Sequence, residues 1–350
     1  MVCAATVEVN GDVGLRLVNH QVSMGRLIAL MNRVRGPLEP RGFIEAVSLA
    51  FKEVQAKHIR HSVSDGFRTE ASFLLFQKAV RLAREVTGGG SVMLLGCGSG
   101  FAGESSEFAA QVIREILSAD EWKLDTCDIS PLTLSLAQTS LFSTPEFAGR
   151  EQSYDLVIAH SLLHFIPDVT SFFSMLCRLL KPVGGLILGH EPNAGFWQSK
   201  ECQSAVKELR IARRTHGLVR RLKANQLFRR LTGDNSAERM VDEVNQRLME
   251  RNGFARPLTC NEISRLVDVH RPEAIPGPFR IGFDGFDLEE LTRSYLPGFS
   301  LFWAGTSAHL GYISPSSLSP EWLRREASLA EKQPLAGSVL NAYWRKDPST

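Results

Sequence analysis

A glycine-rich turn between an apolar strand and an amphipathic helix is the feature that most constrains how this chain can fold. The segment Ser91–Gly96 has the pattern of a buried strand, and glycines stand at positions 96, 98, 100 and 103 before apolar residues recur at helical spacing over 108–117. Glycine lets the backbone approach a ligand without interference from a Cβ, and the following helix turns its unpaired N–H groups toward the same place. The turn therefore predicts a nucleotide-type binding site at the strand end.

Strands and helices alternate along the segment that surrounds this turn. Beyond the first strand, the pattern predicts a preceding helix, three more strands and two more helices, at Thr69–Val86, Trp122–Asp128, Leu132–Thr139, Tyr154–His160, Val169–Leu180 and Leu186–His190. Such alternation implies right-handed crossovers and a mainly parallel sheet that is covered on both faces. We therefore expect an α/β core.

The rest of the chain differs from this core in pattern. An arginine-rich helical segment interrupts the alternation after Leu186–His190, and two strand-like segments near the C-terminus, Gly298–Ile313 and Ser338–Lys346, could return to the sheet as an antiparallel hairpin at one edge. The chain accordingly divides into an N-terminal helical region, an α/β core, a helical cap insertion and C-terminal strands that complete the sheet, at residues 1–88, 89–195, 196–285 and 286–350.

Composition limits the class of protein. The 350 residues are 43% apolar and 22% charged, which excludes a disordered chain, and 40 Lys and Arg against 38 Asp and Glu give no overall field to attract nucleic acid or an anionic membrane. Six cysteines without a CxxC pair argue against a zinc ribbon and a disulfide framework, so we expect reduced thiols and a cytoplasmic location. We see no signal peptide, and no apolar run approaches the roughly 20 residues of a membrane-spanning helix.

Two glycine registers compete within the turn. Gly98–Gly103 fits GxGxxG, the dinucleotide fingerprint, whereas Gly96–Gly100 fits GxGxG placed directly at the strand end. Asp128 ends the next strand, where it could accept hydrogen bonds from both hydroxyls of a ribose, and both interpretations need that acid. The choice between them depends on two later segments, YDLVIAHSLLHFIPD and LKPVGGLILGHEPN.

With these segments included, the sequence resembles the class I S-adenosylmethionine-dependent methyltransferases, particularly those that act on small molecules. LLGCGSG matches the glycine-rich first motif, DISP the ribose-binding second motif, and the two later segments the fourth strand with its loop and the turn into the fifth strand. The resemblance covers 91–195. It implies a Rossmann-like sheet of seven strands with the last antiparallel, S-adenosylmethionine across the carboxyl ends of the central strands, and a helical cap inserted after the fifth strand. No metal is implied, and a nicotinamide enzyme is the alternative.

The resemblance also assigns cofactor contacts, residue by residue. The methionine part of the cofactor would be contacted by Gly96, Cys97, Gly98 and Gly100. Asp128 would bind the ribose and Ile129 one face of the adenine, and the amino group would be left to backbone carbonyls near His160. Two departures stand out. Leu94 occupies a position where many members have an acid for the amino group, and only 27 residues (155 minus 128) separate Asp128 from Asp155, which leaves little room for a third strand.

Three candidates for acid–base chemistry follow the fourth and fifth strands. Methyl transfer from a sulfonium requires alignment, exclusion of water and, for a hydroxyl or similar acceptor, removal of a proton. His160 and His190 end these strands at the edge where the methyl group should lie, and Glu191 adjoins His190. A histidine near neutral pKa suits proton removal. Each of the three also fits a strand-end residue that only bonds backbone groups, and we expect His164 to order its loop.

These observations predict methyl transfer to a small organic acceptor. A nucleic-acid methyltransferase is the second hypothesis, because Lys207–Leu231 carries nine Lys or Arg against Glu208 alone. A noncatalytic or repurposed S-adenosylmethionine-binding protein is the third, because of Leu94 and the short segment on the adenine side. A solvated cap helix explains the basic stretch equally well.

Overall fold

The computed structural model describes the chain in segments that begin at residue 71. These are residues 71–95, 113–117, 121–127, 149–163, 166, 169–223, 236–250, 256–259, 262–263, 285–311 and 318–348. For Cys127 and for residues 214–223 and 236–240 the description is limited to the backbone. Of the N-terminal helical region predicted for 1–88, only the last part lies within these segments.

A six-stranded sheet is the frame of the described structure, with its strands in the order β2-β1-β3-β4-β6-β5. In chain order, β1 to β6 span Gly90–Leu95, Trp122–Cys127, Tyr154–His160, Leu180–Pro192, Phe299–Ser307 and Val339–Lys346. Neighbours among β1 to β4 pair parallel, whereas β6 pairs antiparallel with both β4 and β5. The predicted α/β sheet with an antiparallel last strand is confirmed. A third strand of the family pattern would fall mostly within 128–148, outside the described residues.

Seven helices with described bounds accompany the sheet, and the described residues 113–116 and 262–263 are also helical. In chain order, α1 to α7 span Ala71–Thr87, Val169–Leu179, Ala194–Gln198, Lys200–Lys223, Ser236–Glu250, Leu288–Glu290 and Pro320–Lys332. Helix α6 continues directly into a π-helical turn, Leu291–Tyr295. Helices α3, α4 and α5 fall largely within the segment predicted as a helical cap, whereas the described residues 256–259 of that segment are not helical.

Helices α1 and α2 cover opposite faces of the sheet because successive side chains of a strand point to opposite sides. Val92 and Leu94 of β1 point toward α1, whereas Met93 and Leu95 point toward α2. The apolar stripes of the two helices fill these faces with Phe73, Phe76, Val80, Phe172, Phe173 and Leu176. Full burial of one such side chain contributes about 1.5–3 kcal/mol, so the two clusters fix both helices against the sheet.

Strand β4 is the element whose observed extent differs most from the sequence prediction. The prediction began at Leu186, because Pro182 and the following glycines suggested a turn, but the strand begins at Leu180. Leu180 pairs with Tyr154, the register then shifts, and pairing resumes between Gly185 and Leu156. A β-bulge absorbs the extra residues there while strand pairing continues on both sides.

A third apolar cluster joins the cap helices to the carboxyl edge of the sheet. Ser307 ends β5 and pairs with Val339 of β6, which pairs in turn with Pro192 at the end of β4. Immediately beyond these strand ends, α3 and α4 pack against the turn after β5 and against α7 through Phe196, Cys202, Ala205, Val206, Leu209, Leu310, Leu329 and Ala336. The first half of α4 is therefore anchored at the edge where β4 and β5 end.

Hydrogen bonds to Glu326 fix the turn after β5 against α7. Glu326 accepts hydrogen bonds from the backbone N–H groups of His309 and Leu310, both at 2.7 Å, and its Oε1 lies 3.2 Å from Nδ1 of the His309 ring. Nε2 of the same ring lies 3.1 Å from the carbonyl oxygen of Gln333. Burial opposes ionisation of Glu326, but the hydrogen bonds from His309 and Leu310 outweigh it and lower the pKa of this carboxyl below its ordinary value.

We expect Glu326→Gln to destabilise the protein at neutral pH and to remove part of the pH dependence of its stability. A carboxyl whose pKa is lower in the folded state stabilises that state above the unfolded pKa, and this contribution is lost as the pH falls through the folded-state pKa. Thermal unfolding of both proteins between neutral pH and about pH 3 tests this. The gap in Tm should narrow as the pH falls, and Glu331→Gln on the exposed face of α7 should behave like the wild type. A gap that stays constant would contradict this role for Glu326.

Candidate active site

Strand register brings the ends of three neighbouring strands to one level at the carboxyl edge of the sheet. Leu95, the last residue of β1, pairs with Cys127 at the end of β2. On its other side Leu95 pairs with Ala159, one residue before the end of β3. The segments that follow β1, β2 and β3 therefore leave the sheet side by side.

The candidate cofactor residues follow directly from these strand ends. Gly96 comes immediately after Leu95, and Asp128 immediately after Cys127, so the glycine turn and the predicted ribose acid begin on adjacent strands. The chain passes from β1 to β2 on one side of β1 and then to β3 on the other side, and ligands of open α/β sheets bind at such a switch point. Seven predicted residues lie outside the described part of the chain, namely Gly96, Cys97, Gly98, Gly100, Asp128, Ile129 and His164.

Leu94 belongs to the apolar core. Its side chain is 1% exposed and lies in the cluster under α1, together with Val92 and Ile158. It offers no carboxylate to the amino group of a cofactor. Where many members of the family have an acid, this chain therefore has a buried apolar side chain that packs in the core.

His160 is held at the end of β3 by close packing against α1. The residue is 4% exposed, and its ring meets the ring of Phe76 edge-on, with 4.5 Å between the ring centroids. Gly189 pairs with His160 across the sheet, and a Cβ at this glycine would lie 2.7 Å from Cδ2 of Phe76 and 2.8 Å from Cδ2 of His160. Glycine at 189 is therefore what allows Phe76 and His160 to pack together.

His190 occupies a left-handed backbone conformation where the ladder between β4 and β6 is interrupted. Its φ is 60°, uncommon for a residue other than glycine, and pairing shifts register between Leu188 and Glu191. The backbone N–H of His190 donates to Oδ1 of Asn341 at 3.0 Å, and its Nδ1 lies 2.8 Å from Oγ of Ser72. The structure brings the two candidate histidines together, because the centroids of the His160 and His190 rings are 5.9 Å apart.

Glu191 ties the end of β4 to the loop that follows β3. Its side chain is fully buried, and Oε1 accepts hydrogen bonds from the backbone N–H groups of Leu162 at 2.7 Å and Leu163 at 2.8 Å. Ser161, just before them, has a φ of 51° and donates its N–H to the carbonyl oxygen of Gly189 at 2.7 Å. These contacts give Glu191 a loop-ordering role, and proton transfer by this residue stays a prediction.

Sequence reasoning did not identify Ser72 and Asn341, which meet His190 from α1 and from β6. They lie 118 and 151 residues from it in the chain. Nδ2 of Asn341 is also 3.5 Å from Oγ of Ser72, so the three side chains form one group. In the sequence, Asn341 is a polar residue within the apolar strand SVLNAYWRK, but this pattern does not show which residue Asn341 will contact.

We expect Glu191→Ala to lower the free energy of unfolding by about 2–6 kcal/mol, because it leaves two buried N–H groups without an acceptor at about 1–3 kcal/mol each. Urea unfolding measures the change. Glu331→Ala, which removes an exposed carboxylate from α7, is the control and should stay near the wild type. Equal stability of the Glu191 variant and the wild type would contradict the loop-ordering role.

Comparison with known proteins identifies a family, and it also finds several solved structures to which the chain is similar. The profile of a family described as a methyltransferase domain matches residues 67–255. No curated protein sequence matches the chain.

Among solved structures, the chain is similar to the trans-methyltransferase CalH in complex with SAH, with 15% identity, a TM-score of 0.35 and coverage of 77% of this chain and 55% of that one. It thus spans about half the length of CalH. It is also similar to the plantazolicin methyltransferase BpumL in complex with SAH, with 13% identity, a TM-score of 0.34 and coverage of 87% and 97%. A third is an S-adenosylmethionine-dependent methyltransferase from Mesorhizobium loti, with 13% identity, a TM-score of 0.28 and coverage of 80% and 100%.

Proposed function

Because the chain belongs to the methyltransferase domain family, whose profile matches more than half of it, we propose that it transfers a methyl group from S-adenosylmethionine to a small organic acceptor. The observation that carries this proposal is the common level at which β1, β2 and β3 end. Because of this common level, the glycine turn, the ribose acid and the candidate histidines all begin at one edge of the sheet. One extended cofactor with an acceptor beside it would require that arrangement.

The residues at this edge fit such a cofactor. The segment after β1 has glycine, and therefore no Cβ, at three of its first five positions, and an acid follows β2. A backbone cradle and a ribose acceptor would therefore start from adjacent strands. The contacts would be made by Gly96, Cys97, Gly98, Gly100, Asp128 and Ile129. S-adenosylmethionine supplies an electrophilic methyl group on a sulfonium. Since Leu94 is buried in the core, the amino group of the cofactor is left to backbone carbonyls near His160.

His190 is the residue that we assign to the proton of the acceptor. Both histidines stand at the carboxyl edge, but His160 is almost fully buried and packed against Phe76, whereas His190 is only partly buried. A small acceptor can therefore reach His190 more directly. In this proposal His190 removes the proton of the acceptor, and His160 shapes the wall of the site beside it.

In this proposal the cap helices bound the acceptor pocket. The apolar cluster of α3 and α4 lies directly beyond the ends of β4 and β5, so residues 196–285 start from the edge where the acceptor would bind. An enclosed, largely apolar pocket with a few polar groups is typical of small-molecule sites. Lys207 and Arg213 of α4 are exposed, and in this proposal they do not line the pocket.

The described part of the chain is consistent with a reducing, cytoplasmic setting, which we propose for the protein. Cys177 and Cys202 are free thiols, and burial raises the pKa of Cys177 to about 11, which keeps it in the unreactive form. No helix in the described segments is both long and apolar enough to cross a bilayer.

We expect S-adenosylhomocysteine to bind the protein and raise its Tm, whereas NAD and NADP do not. The shift should grow with ligand concentration, because the ligand binds the native state selectively. Asp128→Ala should weaken binding by about 1–3 kcal/mol, since two ribose hydroxyls lose their acceptor. Calorimetry measures both affinities.

Asp242→Ala, on an exposed position of α5, is the matched control and should bind like the wild type. Binding of a dinucleotide without any heat from an S-adenosyl ligand would overturn the cofactor assignment. Unchanged affinity in a folded Asp128 variant would remove that residue from the site.

The basic stretch separates the small-molecule proposal from nucleic-acid methylation. We expect the wild type to retain no RNA at physiological salt, and we expect joint replacement of Arg213, Arg214, Arg220 and Arg221 by Gln to leave S-adenosylhomocysteine binding intact. An RNA-binding enzyme would instead lose affinity and show a flatter salt dependence. Filter binding with labelled RNA at several salt concentrations makes the measurement. Tight, salt-sensitive retention that disappears in the four-Gln variant would favour nucleic acid as the acceptor.

A further inference from the structure

We propose that Ser72, in the first turn of α1, is a positioning residue that holds the His190 ring with Nδ1–H toward its hydroxyl, so that Nε2 is the basic nitrogen. The inference rests on the proposed function, which assigns the proton of the acceptor to His190. A neutral imidazole that takes up a proton at one nitrogen must carry its own hydrogen on the other. A group that holds Nδ1–H therefore determines which nitrogen can act.

The contact between Ser72 and His190 has the geometry that this role requires. Oγ lies 2.8 Å from Nδ1, well within hydrogen-bonding distance, and Ser72 is 6% exposed. A hydrogen bond that is shielded from water in this way has few competing partners. It fixes the ring on a residue whose backbone already has a left-handed φ of 60° and therefore has little freedom to move.

Asn341 engages one lone pair of the Ser72 hydroxyl. The backbone N–H of His190 can only donate, so Oδ1 of Asn341 must face it, at 3.0 Å. Nδ2 of the same amide then lies on the side of Ser72, 3.5 Å from Oγ. Ser72 accepts from Asn341 with one lone pair, which leaves its second lone pair and its O–H for Nδ1 of His190. In our proposal the lone pair accepts from Nδ1–H, and donation of the O–H to an unprotonated Nδ1 is the arrangement that would overturn it. Asn341 is fully buried, which holds the amide in this orientation.

The same contacts argue against Ser72 as a nucleophile. An attacking hydroxyl must reach the substrate and pass its proton to a base. Ser72 is nearly inaccessible and faces a donor on Asn341, so its oxygen is engaged in accepting hydrogen bonds. It acts through His190 and not on the acceptor.

The test reads the tautomer of His190 by ¹⁵N NMR of the imidazole, which needs no acceptor. His190→Gln assigns the signals. In the wild type above the titration range, we expect a pyrrole-type Nδ1 and a pyridine-type Nε2. In Ser72→Ala both signals should move toward the exchange average of the two tautomers, and Ser72→Thr, which keeps the hydroxyl, should restore the wild-type pattern. Gln77→Ala, which removes a surface contact with Arg81 from the same helix, is the control and should leave the pattern unchanged.

Three outcomes separate the inference from the function on which it rests. The inference would be overturned by a pyridine-type Nδ1 in the wild type, or by a ¹⁵N pattern that Ser72→Ala leaves unchanged. In either case S-adenosylhomocysteine binding would still support the proposed function. Absence of S-adenosylhomocysteine binding in the wild type would overturn the proposed function whatever the tautomer. If Ser72→Ala does not fold, Ser72→Cys keeps the size of the side chain, removes the strong acceptor and gives the same readout.

Discussion

The register of the parallel strands is the constraint on which the rest of the site depends. Pairing of Leu95 with Cys127 and with Ala159 makes three strands end together, and the pairing of His160 with Gly189 aligns β4, which continues to Pro192, with the end of β3. A shift of one residue in any of these pairs would turn inward-facing side chains to the opposite face, so two buried clusters resist such a shift. The core thus specifies the alignment of the edge where the chemistry is proposed.

Departures from regular strand geometry at this edge then create the individual contacts. The left-handed conformations of Ser161 and His190 turn the backbone out of the ladder. Glu191 satisfies two N–H groups of the loop after β3, and the absence of a side chain at Gly189 gives Phe76 room beside His160. Such conformations cost of order 1–3 kcal/mol each and persist where surrounding contacts over-determine them. The site is built from strained backbone that is held by a regular sheet.

The sequence predicts the elements better than it predicts the contacts. Apolar periodicity and the glycine turn were sufficient for β1, β3 and α2, because each is a local pattern that the core then buries. The start of β4 was misplaced, since a bulge and a turn have the same glycine and proline composition. His160 and His190 could be proposed from their places at strand ends. Ser72 and Asn341 could not, because nothing local in a sequence indicates which distant polar residue will meet a given histidine.

The place of β6 in the sheet determines when this group can assemble during folding. The strand enters between β4 and β5, and its Asn341 meets Ser72 across a sequence separation of 269 residues. Residues so far apart in the chain can meet only after a long loop has closed, and the entropy cost of closing it opposes the contact. Such contacts therefore form late in folding. On the ribosome, β1 to β4 can pair before β6 has been synthesised, but the left-handed His190 acquires its Asn341 partner only afterwards. The nascent protein would thus hold only the four parallel strands, with their carboxyl edge still unfinished, until β6 is inserted and β5 pairs with it.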